Sequence, residues 1–108
     1  MAVEEITVAS LSRLSLKSLQ IVDVREPDEY VAGHIPGAIN IPLSVFTEKL
    51  GNIDAKKTTY MVCKSGGRSM QACEFCHDQD QPNVVNLAGG TMGWIAAGHD
   101  VVTGESPG

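Results

Sequence analysis

A chain of 108 residues is one domain's worth, and it is long enough to bury a core without disulfide or metal staples. Hydrophobic residues make up 43% of it and charged residues 19%, which excludes a disordered tail, a collagen-like repeat and a coiled coil. The longest apolar runs, Tyr60 to Cys63 and Trp94 to Ala97, are too short for a membrane-spanning helix, and a net charge of −5 argues against a nucleic-acid surface.

The charge is unevenly spread. All eight Lys and Arg lie at or before Arg68, and five acids with no base follow. Those last forty residues read as a solvated acidic face, with an acidic docking patch as the alternative. The opening Met-Ala-Val-Glu-Glu carries acid where a secretory signal would carry base. Three cysteines cannot all pair within one chain, so free thiols and a cytoplasmic location are expected.

In chain order, Ile6 to Val8 reads as a strand and Ser10 to Leu14 as a short helix. Gln20 to Val24 is a strand bounded by the turn signal Glu26-Pro27-Asp28, and Asp28 to Ala32 can form one or two helical turns. Ala38 to Ile41 is a short strand stopped by Pro42, and Leu43 to Leu50 fits a helix closed by Gly51. Thr59 to Cys63 is apolar without alternation, as in a strand covered on both faces. A helix from Gly67 to Asp78, a strand from Val84 to Leu87, and a helix after Gly89-Gly90 running through Ala97 complete the pattern. Residues 103–108 are small and polar and are expected to fray. Strand alternating with helix predicts an open α/β sheet with helices on both faces, its ligand at the carboxyl ends of the strands.

The segment at such an end is Cys63-Lys64-Ser65-Gly66-Gly67-Arg68-Ser69. A cysteine closes a buried strand, a glycine turn follows, and a helix begins. A helix amino end presents unpaired N–H groups and partial positive charge. Gly66 and Gly67 can take positive φ, turning successive amides inward as an anion cradle. Lys64 and Arg68 add full charges. All three effects favour thiolate over thiol. A thiolate is already a nucleophile, and the sequence supplies no histidine or aspartate within ten residues except Asp54. A buried strand-end cysteine beside an ordinary turn is the plain alternative.

Two motifs together resemble the single-domain rhodaneses, a sulfurtransferase family. Asp23 through Tyr30 with Gly33 through Pro42 is similar to the family's amino-terminal signature, and Cys63 through Arg68 to its active-site loop; Gly89-Gly90, Trp94 and Val102-Thr103-Gly104 match its usual ending. The resemblance spans nearly all of residues 1–108, read as one domain. It implies a five-stranded parallel sheet, with the strands before the Asp23 and Gly89 turns flanking the Cys63 strand. It also implies catalysis by Cys63 through a persulfide, with Lys64, Ser65, Gly66, Gly67, Arg68 and Ser69 binding the substrate. The donor would be thiosulfate and the acceptor cyanide or a thiol, with no metal or cofactor. A relay to a protein acceptor and a non-catalytic binding module are the other readings. Four residues separate Cys63 from Arg68; phosphatases and arsenate reductases of this fold have five, and a phosphatase also profits from an acid that this loop lacks.

Cys73-Glu74-Phe75-Cys76-His77 matches the C-x-x-C-H haem-attachment pattern. At about 100° per residue, however, Ala72, Cys73 and Cys76 share one helical arc and Gln71, Glu74 and Asp78 the other. Core packing is therefore expected, with a resolving role toward Cys63 as the alternative. His34 sits among turn formers and Trp94 reads as core. The cluster Asp23, Arg25, Glu26, Asp28 and Glu29 reads as solvated or mutually paired charge, or as a wall of the site.

Overall fold

The structure, a computed structural model, describes residues 2–108; Met1, the first residue of the expected domain, lies outside the described residues. Five strands form one sheet in the order β1-β5-β4-β2-β3, with every pairing parallel. They are β1 (Glu4–Ile6), β2 (Gln20–Asp23), β3 (Ile39–Asn40), β4 (Thr59–Val62) and β5 (Val84–Leu87). The helices are α1 (Val8–Ser12), α2 (Pro27–Ala32), α3 (Gly67–Asp78) and α4 (Gly90–Ala96). Strand β4 lies in the middle, between β2 and β5, as the resemblance implies.

The apolar run of β4 is explained by a core on each side. Met61 and Cys63 point into a cluster with Val22, Val24, Phe46, Ala72, Cys73, Cys76 and Val84. Val62 points the other way, toward Leu11, Ile21, Tyr30, Ile35, Leu87 and Trp94. Complete burial of each such side chain contributes about 1.5–3 kcal/mol. On α3 the expected arcs are realised: Ala72, Cys73 and Cys76 are buried, and Gln71, Glu74 and Asp78 are exposed.

Several local expectations shift, among them the first helix, expected from Ser10 to Leu14 and found at Val8–Ser12. The first strand ends at Ile6 because the Thr7 hydroxyl caps α1, accepting from the Ser10 amide at 3.1 Å. The segment read as a helix from Leu43 forms 3₁₀ turns, Leu43–Glu48 and Leu50–Asn52. Four of its backbone bonds span three residues, Val45 to Pro42, Lys49 to Phe46, Asn52 to Lys49 and Ile53 to Leu50, and the Leu43 amide donates to the Val24 carbonyl at 2.9 Å.

The turn after β2 is knitted from within. Asp23, fully buried, accepts from the Arg25 backbone at 3.0 Å and from its guanidinium at 2.8 Å, and that guanidinium donates to the Gly33 carbonyl at 2.7 Å. Pro27 opens α2 where a missing N–H costs nothing, and Asp28 and Glu29 suit its positive end. The carboxy-terminal residues expected to fray are tied down. The Gly104 amide donates to the Val31 carbonyl at 2.9 Å and the Gly37 amide to the Pro107 carbonyl at 2.8 Å. His34, buried and stacked on Tyr30, has Nε2 2.9 Å from the Ser106 carbonyl. Among the described residues no helix is long and apolar enough to cross a membrane.

Candidate active site

Cys63 follows the last residue of β4, at the carboxyl edge of the central strand. Behind it stands α4. The Thr91 amide donates to the Cys63 carbonyl at 2.9 Å and the Met92 amide to the Lys64 carbonyl at 3.0 Å. A peptide unit is planar, with its C=O and N–H opposed. Drawing those two carbonyls toward α4 therefore sends the following amides, of Lys64 and Ser65, the other way.

The close approach depends on Gly90. Its φ is +60°, and a Cβ there would meet the Lys64 carbonyl oxygen at 2.5 Å and that of Cys63 at 2.6 Å. Gly66 likewise has a φ of +118° and caps α3. Its amide donates to the Cys63 sulfur at 3.1 Å, and the Ser69 hydroxyl lies 3.3 Å from the same atom.

Burial of the sulfur opposes its ionisation. Hydrogen bonds from the Ser69 hydroxyl and from the amides of Ser69, Gly66 and Ser65 outweigh that penalty, so the thiol lies below its ordinary value. The donors that favour the ionised sulfur are thus neutral hydrogen-bonding groups, whereas the sequence reading also counted the full charges of Lys64 and Arg68. Lys64 is exposed. Arg68 is engaged by Glu29 through two parallel bonds of 2.7 and 2.8 Å, and its charge still feels that of the sulfur. Glu29, read from the sequence as paired charge or as a wall of the site, is paired with Arg68 at the edge of the cysteine loop. Its signal was its place in the turn at the carboxyl edge of β2, the strand next to β4.

Ser65, Gly66 and Ser69 stand around the sulfur, whereas Gly67 is exposed with nothing within 4 Å of where its Cβ would be. Two residues the sequence reading left unassigned complete the neighbourhood: Asn86 on β5 accepts from the Ser69 hydroxyl and donates to Glu5 on β1. Burial pushes the thiols of Cys73 and Cys76 up to about 12 and about 11, making them poor nucleophiles. No group of three or more His, Cys, Asp or Glu side chains among the described residues is arranged to hold a metal ion. A cleft of about 500 Å³ beside α2 is lined by Pro27, Asp28, Tyr30, Val31, Asn40 and Glu105. It takes no residue from the Cys63 loop, and its two carboxylates would repel an anionic donor.

The arrangement is a nucleophilic sulfur in a cradle of amides, suited to accept a soft electrophilic atom and to hold negative charge. Comparison with known proteins agrees. The rhodanese-like domain family matches residues 7–97. A sulfurtransferase of Allochromatium vinosum is 33% identical over 105 residues, covering 95% of this chain and 98% of that one. The thiosulfate sulfurtransferase GlpE of Shewanella oneidensis is 33% identical over 81 residues, covering 75% and 80%. The crystal structure of a rhodanese-related protein from Thermoplasma volcanium superposes with a TM-score of 0.83 at 37% identity, covering 92% of this chain and 97% of its own. With its sheet order, its cysteine loop and these relatives in agreement, the chain belongs to the rhodanese-like domain family of sulfurtransferases.

Proposed function

We propose that the chain acts as a single catalytic domain that moves sulfane sulfur from thiosulfate to a thiophilic acceptor. The observation that carries this reading is the Gly66 amide 3.1 Å from the Cys63 sulfur, one of several donors that converge there. In the first half-reaction the Cys63 thiolate attacks the outer sulfur of thiosulfate. A new S–S bond forms, the S–S bond of the donor breaks, and sulfite leaves with the electron pair. The charge then rests on the outer sulfur of a Cys63 persulfide, within the reach of the loop amides. In the second half-reaction cyanide or a thiolate attacks that outer sulfur and the Cys63 thiolate leaves. Two successive displacements give ping-pong kinetics. Exposed Lys64 faces no rival carboxylate in the loop and draws the dianion in, since local field outweighs distant charge beyond a screening length of about 8 Å.

Intact-mass measurement after incubation with thiosulfate tests the proposal. A gain of one sulfur atom, absent in Cys63→Ser and discharged by cyanide as thiocyanate, is expected. No gain from thiosulfate overturns the donor assignment, and no gain from any sulfane donor overturns sulfur transfer itself.

A second reading, delivery of the persulfide to a protein acceptor, is favoured by Met92 and Ile95. Both are large, apolar and about half exposed (55% and 52%) on α4, the helix that holds the loop. Loading by thiosulfate with slow discharge to small thiols would favour it.

A further inference from the structure

Strand β5 is covered, yet it carries an amide side chain. Asn86 is 2% exposed and lies in register with Glu5 of β1 on one side and Met61 of β4 on the other. A polar group at such a place is costly unless every hydrogen-bonding atom is used. Its amide nitrogen donates to Glu5 Oε2 at 2.9 Å and to the Gly66 carbonyl at 3.2 Å, and its Oδ1 accepts from the Ser69 hydroxyl.

The consequence lies in proton counting. The Ser69 hydroxyl has one proton and three acceptors within reach: Asn86 Oδ1, the Gly66 carbonyl at 3.2 Å and the Cys63 sulfur at 3.3 Å. While the sulfur is neutral the groups satisfy one another in series, S–H to Ser69 Oγ and Ser69 O–H to Asn86 Oδ1. When the sulfur is anionic, the Ser69 proton swings to it, and Asn86 Oδ1 loses the donor that Ser69 supplied. A turn of the amide would repair this, because its nitrogen would then donate to Ser69 Oγ. That turn would aim Oδ1 at the Glu5 carboxylate and the Gly66 carbonyl, both of which only accept.

We propose that Asn86, locked in orientation by Glu5, is a positioning residue that withholds part of the Ser69 hydrogen bond from the Cys63 thiolate. The pair thereby favours the states in which the inner sulfur is neutral, the thiol and the loaded persulfide, over the free thiolate that discharge must expel. A lower thiol pKa makes a faster leaving group, so Glu5 and Asn86 slow the release of sulfur to the acceptor. This second part rests on the reading of Cys63 as the sulfur carrier; the first part does not.

The charged groups that bear on the site are Arg68, whose charge couples to those of Cys63 and Asp23, its partner Glu29 on α2, exposed Lys64 in the loop, and Glu5 itself. A plain field from Glu5 would reach the sulfur whether or not Ser69 is present. A route through hydrogen bonds would not.

The test is a double-substitution cycle of Glu5→Gln and Ser69→Ala, read as the pH midpoint of Cys63 alkylation by iodoacetamide. Glu5 is exposed on an edge strand; Ser69→Ala removes a buried oxygen and its hydrogen bond to Asn86 Oδ1, so thermal melting first establishes that each variant is folded. Glutamine can donate to Oδ1, so that only the Gly66 carbonyl still opposes the turn of Asn86. Glu5→Gln is expected to lower the midpoint by about half a pH unit when Ser69 is present and to leave it unchanged when Ser69 is absent. An equal fall in both backgrounds, no fall, or a rise overturns the proposal. In the loaded protein, Glu5→Gln is expected to speed discharge to cyanide about twofold to threefold, again only with Ser69 present. If the native chain takes up no sulfur from any donor, the proposed function falls while the alkylation cycle still decides this inference.

Discussion

Arg68 and Glu29 meet as two planar forks, with bonds of 2.7 and 2.8 Å, and so join the helix that starts at the cysteine loop to the helix that starts after β2. The Arg68 hydrogen bonds do most to hold the Glu29 carboxyl down to about 2, against the opposing effect of burial. An unperturbed carboxyl titrates near 4.5. The pair therefore stabilises the fold fully above about pH 4.5, and that contribution disappears as the pH falls toward 2. With side-chain exposures of 35% and 30% water screens it, so the contribution is about 1 kcal/mol. Urea midpoints measured between pH 7 and 2 should fall less for Glu29→Gln than for the native chain across that window, from a lower start.

Alkylation should distinguish the three thiols. Cys63 lies below the ordinary thiol value and Cys73 and Cys76 well above it. In the folded chain, iodoacetamide near neutral pH should add a single label, mapped by peptide mass to Cys63. Labelling of Cys73 or Cys76 at a comparable rate would contradict the packing of α3 described above.

Glycine substitutions should sort by geometry. Gly90→Ala places a Cβ into two loop carbonyls at a positive φ and should cost about 2–4 kcal/mol, with loss of sulfur transfer. Gly67→Ala meets nothing within 4 Å in the first turn of α3. It should be neutral or stabilise by up to about 1 kcal/mol. Thermal melting of the two variants checks both statements.

Lys64→Ala should separate binding from ionisation. The donors that lower the Cys63 thiol are the Ser69 hydroxyl and loop amides, so the alkylation midpoint should not move. The KM for thiosulfate should rise by about threefold to tenfold, the loss of one exposed charge acting on a dianion. An unchanged KM would remove Lys64 from the site.

Much of this architecture could be read from residue order, and the exceptions have physical causes. Strand β5 and helix α3 fall on the stretches that carry their patterns, Val84 to Leu87 and Gly67 to Asp78, and β4 on all but the last residue of Thr59 to Cys63, because apolar content and glycine boundaries agree there. The stretch after Pro42 misled because Leu43, Phe46 and Leu50 suit either helix type, while β-branched Val45 and Thr47 weaken the α form. The candidate cysteine loop was legible because one short segment holds the cysteine, the glycines and the helix start. Two of its supports were not: Asn86 and Glu5 lie 17 and 81 residues from the partners they bond, and only the sheet order brings them together; for Glu29 the neighbourhood was legible but not the partner, 39 residues away. One signal was available for Asn86, an amide in the otherwise apolar Val-Val-Asn-Leu run of a covered strand.

The two carbonyls gripped by α4 have a bearing on how such a site can change over time. Apart from the Ser69 hydroxyl, the donors around the sulfur are main-chain amides, and the loop that carries them is held from behind by a neighbouring helix through Thr91 and Met92. Side chains at 64, 65 and 67 can therefore vary without dismantling the pocket. Gly90 has no such latitude, and a lineage that lost it would lose the chemistry while every residue of the loop stayed the same.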